Sequence, residues 1–315
     1  MNKTDKIYLA GHRGLAGSAI ARSLQAAGYT NLLTRTHAEL DLIDQRAVAH
    51  FFAKEKPDHV VLAAAKVGGI LANNTNPADF IFQNLAIQTN VIHAAAQSGV
   101  KRLLFLGSSC IYPRDCPQPI KEEYLLTGPL EETNKAYAIA KIAGIEMCAS
   151  YNQQHGTQFL CAMPTNLYGP GDNYDLNTSH VLPALLSKAT TAKNENQPSM
   201  TVWGTGTPRR EFLYSDDLGD ACVTLLALPW EQVASVFPNP ALPLINVGYG
   251  EDLTIGELAE AIADAAGFTG AIEWDRSKPD GTPRKWLDSS RMRALGWRPR
   301  TTLHEGLRTI AALIQ

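Results

Sequence analysis

Tyr137 and Lys141 lie four residues apart in the segment YAIAK. Four residues make about one helical turn, so the two side chains would share one face of a helix. A neighbouring ammonium stabilises a phenolate, which predicts that Lys141 lowers the pKa of Tyr137 from its ordinary value near ~10. Ser108 lies upstream, after a strand-like run. A serine, a tyrosine and a lysine that converge on one carbonyl oxygen could assist hydride transfer to or from a C=O or CH–OH group.

A thiol follows two hydroxyls in the segment GSSCIYP, residues 107–113. The apolar run KRLLFL before it predicts a buried strand, so Ser108, Ser109 and Cys110 would emerge at the end of that strand. A free cysteine in such a position usually packs as a small apolar residue. A thiol with an ordinary pKa near ~8.5 can also exchange protons near neutral pH. The residues alone leave a packing role and a catalytic role open for Cys110.

Glycines recur at intervals of three in GHRGLAG, which follows the first apolar run, KIYLA. They are Gly11, Gly14 and Gly17, and they lie between a predicted strand and a predicted helix. Glycines let backbone N–H groups approach a pyrophosphate, and the helix dipole favours its charge. The alternative is a tight strand-to-helix turn without a ligand. In this context the spacing predicts a dinucleotide-binding loop.

The end of the second predicted strand, TRTH, bears on which dinucleotide binds. A site for NAD usually has Asp or Glu there, which binds the ribose 2′-OH. This chain has Arg35 and His37 and no acid at that point, and Arg13 lies within the glycine loop. Cations there suit a 2′-phosphate and predict NADP, although a solvated surface base is the alternative for each.

Strand-like and helix-like segments alternate through the first half of the chain. The predicted strands are 6–10, 31–37, 59–65, 101–109 and 157–164, and the predicted helices are 18–28, 44–57, 77–99 and 134–156. This order predicts an α/β fold with a Rossmann-like, doubly wound parallel sheet. The pattern breaks after residue 166, which predicts an NADP-binding domain at 1–166 and a smaller C-terminal α/β substrate-binding domain at 167–315. The segment at about 210–229 is a candidate for returning to the first domain.

The composition argues against several classes of protein. Of 315 residues, 45% are apolar and 19% are charged, and the net charge of −3 gives no sign of a nucleic-acid partner. The start, MNKTDKIYLAGHRG, lacks a signal-peptide pattern, and no apolar window approaches the ~20 residues that span a bilayer. The five cysteines are scattered without a CxxC pair, so we expect neither a disulfide framework nor a metal site. These features predict a cytoplasmic protein with reduced thiols and no membrane partner.

The glycine motif, the serine after the fourth predicted strand and the YxxxK pair together resemble the extended short-chain dehydrogenase/reductase family, over nearly the whole chain. The tail LDSSRMRALGWRP resembles the closing segment of members that act on nucleotide sugars. Cys110 and the segments MPTNLYGPGDN, NTSHVLPALL and WGTGTPRREFL are similar to members that epimerise C3 and C5 of GDP-4-keto-6-deoxy-D-mannose and then reduce its C4 ketone with NADPH. The helices at 77–99 and 134–156 resemble those that form a four-helix homodimer interface in this family.

The resemblance implies a role for individual residues. Catalysis would use Ser108, Tyr137 and Lys141 at the ketone, with Cys110 and His180 as base and acid of the epimerisations. The implied cofactor contacts are Gly11, His12, Arg13, Gly14, Leu15, Ala16, Gly17, Arg35, His37, Asp41, Leu42, Leu106, Gly107, Ser108, Ser109, Lys141, Pro164, Thr165, Asn166, Leu167 and His180. The implied substrate contacts are Lys188, Trp203, Arg210 and Asp280.

Other functions account for fewer of these residues. A 4-epimerase or 4-reductase that leaves C3 and C5 unchanged has no use for Cys110 together with His180. A hydrolase built on that Cys–His pair would leave Gly11, Tyr137 and Lys141 unexplained. A redox-sensing NADP-binding module would not need the Tyr–Lys pair. Which of Cys110 and His180 is the base stays open.

Overall fold

The computed structural model describes residues 1–176, 178–237, 242–278 and 280–314, without the side chains of Ile70 and Leu71. The motif NTSHVLPALL begins at residue 177, which lies outside the described residues. The strands are β1 Ile7–Ala10, β2 Leu32–Leu33, β3 His59–Leu62, β4 Arg102–Leu106, β5 Phe159–Pro164, β6 Asn166–Tyr168, β7 Ser199–Trp203, β8 Arg209–Arg210, β9 Phe212–Tyr214, β10 Leu244–Val247, β11 Leu253–Thr254, β12 Ala271–Asp275 and β13 Arg284–Lys285. The helices are α1 Leu15–Ala26, α2 Gln45–Glu55, α3 Ile70–Thr75, α4 Pro77–Gln97, α5 Lys135–His155, α6 Val181–Asn194, α7 Ser215–Ala227, α8 Trp230–Ala234, α9 Ile255–Ala266, α10 Ser290–Ala294 and α11 Leu303–Leu313.

Six parallel strands form the central sheet, in the order β10-β5-β4-β3-β1-β2. The predicted doubly wound α/β class is confirmed. The direction in which successive strands are added reverses between β1 and β3. In sheets of this kind, ligands bind in the crevice that opens at such a switch point, beyond the carboxyl ends of the strands.

Local sequence signals account for most of these elements. Asp44 begins α2 as predicted, because its Oδ1 accepts hydrogen bonds from the N–H groups of Arg46 and Ala47 at 2.9 and 3.0 Å. Gly28 follows α1 with a φ of 83°, which a glycine adopts without strain. The second strand is much shorter than the predicted 31–37, since β2 is an edge strand that pairs only two residues with β1.

The strands of the sheet are buried on both faces, so alternate side chains enter two different cores. In β1, Tyr8 and Ala10 enter the core beneath α2, α4 and α5. Ile7 and Leu9 enter the opposite core, beneath α1 and α7. Helices therefore cover both faces of the sheet, as a parallel sheet requires.

A third core lies among α6, α9, α11, β7 and β9. The strands around it are short and belong to three small sheets, which pair β7 with β12, β6 with β9, and β8 with both β11 and β13. Two later segments return to the large sheet: α7 packs on α1, and β10 pairs with β5. The division of the chain at residue 166 into two domains stays a prediction.

Candidate active site

The glycine loop joins β1 to α1 at the switch point of the sheet. Gly11 has a φ of 87°, and a Cβ there would lie 2.6 Å from the backbone N atom of Ala64, just beyond β3. A Cβ on Gly17 would lie 2.0 Å from the Gly11 carbonyl oxygen. Close packing therefore requires glycine at both positions. A Cβ on Gly14 would meet only that oxygen, at 3.6 Å, so the protein leaves space beside Gly14.

The first turn of α1 is suited to an anion. Gly14 is its N-cap, no side chain caps it, and no acidic residue lies in its first turn. The first N–H groups of a helix lack partners within the helix, and the helix dipole favours a negative charge beside them. The predicted pyrophosphate contacts Leu15, Ala16 and Gly17 supply these N–H groups, and the predicted contact His12 has a buried Nδ1 without a hydrogen-bond partner.

The three cations predicted to bind a 2′-phosphate differ in their partners. Arg35 is half-buried, and its guanidinium lies 3.1 Å from Oε1 of Glu55. His37 is exposed, and its Nδ1 lies 3.7 Å from Oδ1 of Asp41. Arg13 is exposed on the glycine loop. Arg35 and His37 thus each have an acidic neighbour, whereas the side chain of Arg13 is exposed beside the glycine loop.

An acidic residue also lies near this strand end, which corrects the expectation that none does. Glu39 folds back so that its Oε2 accepts hydrogen bonds from N and Oγ1 of Thr36 at 2.7 and 2.8 Å. Those bonds, with smaller contributions from the charges of Arg35 and Arg13, lower the pKa of Glu39. Its carboxylate is therefore held by the loop itself.

The other predicted cofactor residues lie around the carboxyl ends of β2, β4 and β5. They are Asp41 and Leu42 before α2, Leu106 to Ser109 at the end of β4, and Pro164 to Leu167 at the junction of β5 and β6. Thr165 donates its N–H to the carbonyl oxygen of Val247 at 3.1 Å, which extends the pairing of β5 with β10. The ends of β4 and β5 lie on the side of the crevice away from the glycine loop, and the end of β2 lies on the same side as that loop.

Ser108, Tyr137 and Lys141 meet at the end of β4. Lys141 is 3% exposed, and its Nζ donates to the carbonyl oxygen of Leu106 at 2.8 Å. That Nζ lies 5.7 Å from the centroid of the Tyr137 ring. The Ser108 side chain lies close enough to the Tyr137 hydroxyl to affect its pKa. A Cβ on Gly144 would lie 2.7 Å from the Phe105 ring, so a glycine lets α5 approach β4 closely enough for these contacts.

The pKa of Tyr137 shifts in the direction opposite to the sequence prediction. Burial, and secondly a negative charge on Cys110, raise the pKa of Tyr137, and the Ser108 side chain offsets this only in part. Burial also lowers the pKa of Lys141 to about 8. The prediction considered only the attraction between the two groups and not the desolvation of both. The phenol therefore keeps its proton at neutral pH, as a proton donor must.

Cys110 lies beside this group, in a single helical turn that follows β4. Its side chain is buried, and its N–H faces the Ser108 Oγ at 3.5 Å. Burial raises the pKa of the Cys110 thiol, while the positive charges of Lys285 and Lys141 lower it by less. His180 precedes α6. Its pKa is lowered mainly by desolvation and secondly by the charge of Lys285. Both predicted acid–base groups therefore lie in the field of one ammonium, that of Lys285.

The predicted substrate residues lie on α6, at the end of β7, on β8 and in the loop before β13. Trp203 is 61% exposed, and the Nζ atoms of Lys188 and Lys278 lie 5.2 and 5.4 Å from its ring centroid. Burial lowers the pKa of Arg210. Asp280 accepts hydrogen bonds from N and Oγ1 of Thr205 at 2.9 and 2.7 Å, so its carboxylate stabilises the loop after Trp203.

The strand pairing of β8 with β13 separates two pairs of cations. Arg209 is in register with Arg284, and Arg210 with Lys285. Arg209 Nε and Arg284 NH2 each lie 3.1 Å from Oδ1 of Asp252. Side chains alternate along a strand, so Arg210 and Lys285 lie on the opposite face, towards Cys110. The ion pairs on one face thus hold two cations in place on the other.

The family model for the NAD dependent epimerase/dehydratase family matches residues 7–236. The chain belongs to that family. Curated relatives include GDP-L-fucose synthase 1 of Arabidopsis thaliana, which is 57% identical over 97% of this chain and 92% of its own length. The GDP-L-fucose synthase of Escherichia coli K12 is 54% identical over 96% of this chain and 94% of its own length. A solved structure of a GDP-L-fucose synthetase from Naegleria fowleri bound to NADP has a TM-score of 0.86 and 27% identity, and covers 99% of this chain and 94% of the other.

A nicotinamide dinucleotide, which the name of the NAD dependent epimerase/dehydratase family implies, fits the residues present. The space beside Gly14 and the uncapped start of α1 would hold its pyrophosphate. The buried ammonium of Lys141 and the ends of β4 and β5 would hold the nicotinamide riboside. Within the described ranges, no three His, Cys, Asp or Glu side chains gather so as to hold a metal ion. No helix in the same part of the chain is long and apolar enough to cross a membrane.

Two residues beside the predicted site residues could not be recognised from the sequence. Lys285 lies in the segment KPDGTPRKW, but nothing in that segment places its ammonium near Cys110. Glu211 lies next to Arg210 and is fully buried. In the sequence, Glu211 follows two arginines and precedes an apolar run, so it looks like a surface residue. Its burial depends on segments that are distant along the chain.

Proposed function

We propose that the protein converts GDP-4-keto-6-deoxy-D-mannose to GDP-L-fucose, by epimerisation at C3 and C5 followed by NADPH-dependent reduction of the C4 ketone. One observation carries this proposal. The side chains of Ser108 and Tyr137 lie together at the end of β4, and buried Cys110, whose N–H lies 3.5 Å from the Ser108 Oγ, is directly beside them. A reductase needs only the hydroxyls, whereas the thiol supplies a second kind of proton transfer.

The first chemical task is to polarise the ketone. The Ser108 and Tyr137 hydroxyls can both donate hydrogen bonds to O4, which stabilises the negative charge that develops there. The hydrogens on C3 and C5 are α to the ketone and become acidic as O4 gains this charge. The raised pKa of Tyr137 keeps its proton available throughout.

Inversion at C3 and C5 requires a base on one face of the sugar and an acid on the other. Cys110 and His180 can fill these roles, because the ordinary pKa values of a thiol, near ~8.5, and of an imidazole, near ~6.5, both allow proton exchange near neutral pH. Burial raises the pKa of Cys110, and partial desolvation with the charge of Lys285 lowers that of His180, so the thiol and the neutral imidazole are the favoured forms before substrate binds. Either residue can serve as the base.

Reduction follows at C4. When bound, NADPH supplies the hydride. Tyr137 gives its proton to O4, and the ammonium of Lys141 stabilises the phenolate that results. Lys141 is held for this by its hydrogen bond to the carbonyl oxygen of Leu106.

The GDP group would bind across the small sheets. Arg210 and Lys188 can neutralise the diphosphate, and the exposed ring of Trp203 can pack on the base or sugar. Preference for NADP over NAD would come mainly from Arg13, with Arg35 and His37 contributing less because they lie beside Glu55 and Asp41. Asp280 would contribute through the loop that it stabilises.

The same resemblance supports a cytoplasmic homodimer that pairs α4 and α5 with those of a second copy. Phe82 on α4 and Ile139 on α5 are 63% and 41% exposed, which suits a contact surface. All five cysteines lie within the described residues and are free, which suits a reducing compartment.

Turnover with GDP-4-keto-6-deoxy-D-mannose tests the proposal. We expect NADPH to be oxidised and the product to be GDP-L-fucose, as identified by NMR of the sugar, with NADH supporting a lower rate at equal concentration. A reduced 6-deoxy sugar with C3 and C5 unchanged would assign a simple 4-reductase instead. Absence of NADPH oxidation would contradict the proposal as a whole.

A further inference from the structure

A fully buried carboxyl group lies between β8 and β9, on Glu211. Its Oε1 accepts a hydrogen bond from the N–H of Gly250 at 2.7 Å. Its Oε2 accepts one from the N–H of Leu287 at 3.0 Å. The side chain therefore joins the turn after β10 to the segment after β13.

The backbone of Glu211 forms a second set of hydrogen bonds. Its carbonyl oxygen accepts from Oγ1 of Thr165 at 3.2 Å and from Nδ2 of Asn166 at 2.8 Å. Its N–H donates to the carbonyl oxygen of Lys285 at 3.3 Å. Glu211 thus connects the predicted cofactor segment at 164–167 with β13, while its neighbour Arg210 faces the substrate side.

The space around the carboxyl group of Glu211 fits that group closely. A Cβ on Gly248 would lie 2.4 Å from Oε1 of Glu211, so the carboxyl group occupies space that any other residue at 248 would fill. Burial raises the pKa of Glu211 to about 7, although the N–H groups of Gly250 and Leu287 act in the opposite direction. An amide in its place would offer one acceptor oxygen for two N–H groups and leave one of them without a partner.

We propose, on the basis of the function proposed above, that Glu211 is a positioning residue that fixes the distance between the cofactor segment at 164–167 and the cations Arg210 and Lys285. Hydride transfer depends steeply on the separation of the two reacting carbons, and a displacement of about 1 Å can reduce the rate by about 100-fold. One residue that bonds both segments sets this separation directly.

Glu211→Gln tests the proposal, measured as single-turnover NADPH oxidation with saturating cofactor and GDP-4-keto-6-deoxy-D-mannose. We expect hydride transfer to slow by about 10- to 100-fold, while the dissociation constants of NADPH and GDP change by less than about threefold. Glu211→Asp retains two acceptor oxygens and should recover part of the rate. The matched control is Glu251→Gln, which changes an exposed carboxylate on the same turn and should leave the rate unchanged.

A purely structural role predicts a different result. Folded Glu211→Gln with a lower melting temperature but a hydride-transfer rate within about twofold of wild type would overturn the proposal, as would outright loss of NADPH binding. If Glu211→Gln does not fold, Glu211→Asp takes its place, because it keeps both acceptor oxygens but withdraws them by one methylene group from Gly250 and Leu287. A severalfold slower hydride transfer with unchanged NADPH affinity is then expected, and an unchanged rate overturns the proposal.

Failure of the proposed function gives a separate signal. It would appear as absence of turnover in the wild-type protein. The positioning role is then decided by crystal structures of wild type and Glu211→Gln with NADPH and GDP bound. We expect Arg210 to move by about 1 Å relative to residues 165–166, and an unchanged separation would contradict the role of Glu211.

Discussion

The two ends of the central sheet both carry ionisable side chains, and their pKa values shift in opposite directions. At the amino end, Lys101 Nζ lies 2.8 Å from Asp58 and 3.6 Å from Asp5, and His59 Nε2 lies 3.0 Å from Asp5. Burial alone would raise the pKa of Asp5, but hydrogen bonds from Asn2 and His59 and the charge of Lys101 together lower it to about 2. The hydrogen bond with Asp58 raises the pKa of Lys101.

At the carboxyl end, burial decides the direction. It raises the pKa of Tyr137 and Cys110 and lowers that of Lys141 to about 8. Each shift favours the neutral form of the group. At the amino end, burial has this effect on His59 and Arg102, and His59 serves there as the hydrogen-bond partner of Asp5.

The difference separates stabilising groups from reactive ones. The charges of Asp5, Asp58 and Lys101 are compensated within the protein, so they can contribute to the free energy of unfolding. The groups at the carboxyl end lack such compensation, and a bound anion or a developing charge would supply it. Changes at the carboxyl end should therefore remove activity from a stable protein, and changes at the amino end should remove stability from an active one.

Tyr137→Phe should give the largest effect on activity. The variant retains the ring that packs edge-on against Phe80, with centroids 6.3 Å apart, so it should fold normally. It loses the proton donor for O4, and we expect the rate of single-turnover NADPH oxidation to fall by ~10²–10⁴-fold. Tyr151→Phe, on the same helix and bonded to His93, is the control that should keep the wild-type rate. Reduction at the wild-type rate by Tyr137→Phe would mean that another group protonates O4.

Cys110→Ser should separate epimerisation from reduction. Serine is similar in size but transfers protons far less readily at neutral pH, so deuterium incorporation at C3 and C5 in D₂O without NADPH should fall by ~10²–10⁴-fold. NADPH binding should persist, and un-epimerised ketosugar should still be reduced. Cys116→Ser changes a half-buried thiol nearby and should incorporate deuterium at C3 and C5 at the wild-type rate. Equal deuterium incorporation in wild type and Cys110→Ser would assign the thiol to packing only.

Asp5→Asn should give the smallest effect, and on stability alone. The folded pKa of about 2 lies below the ordinary value of 3.8, so the stabilisation is full above pH 3.8 and is lost as pH falls through about 2. We expect the free energy of unfolding at neutral pH to fall by about 1–2 kcal/mol, measured by urea denaturation, with a deficit that shrinks in acid. Hydride transfer should be unchanged. Glu260→Gln, at an exposed position, is the control for stability. A deficit that persists unchanged at low pH would show that charge is not its origin.

Sequence alone predicts those features that depend on neighbouring residues. The glycine loop, the Asp44 cap and the one-turn spacing of Tyr137 and Lys141 are all local, and each is found where it is expected. The predicted direction of the Tyr137 pKa shift is wrong, because burial depends on chain segments that are distant in sequence. Glu211 was missed for the same reason, since the groups that it bonds lie 39 and 76 residues along the chain.

The pairing of β10 with β5 has a consequence for synthesis on the ribosome. Residues 159–164 complete one side of the growing sheet, but the strand that covers them, 244–247, is translated roughly 80 residues later. At about 5–20 residues per second, the unpaired N–H and C=O groups of β5 would stay open to other chains for several seconds. The nascent nucleotide-binding half is therefore prone to aggregate during this interval. The interval ends when residues 244–247 leave the ribosome and pair with β5.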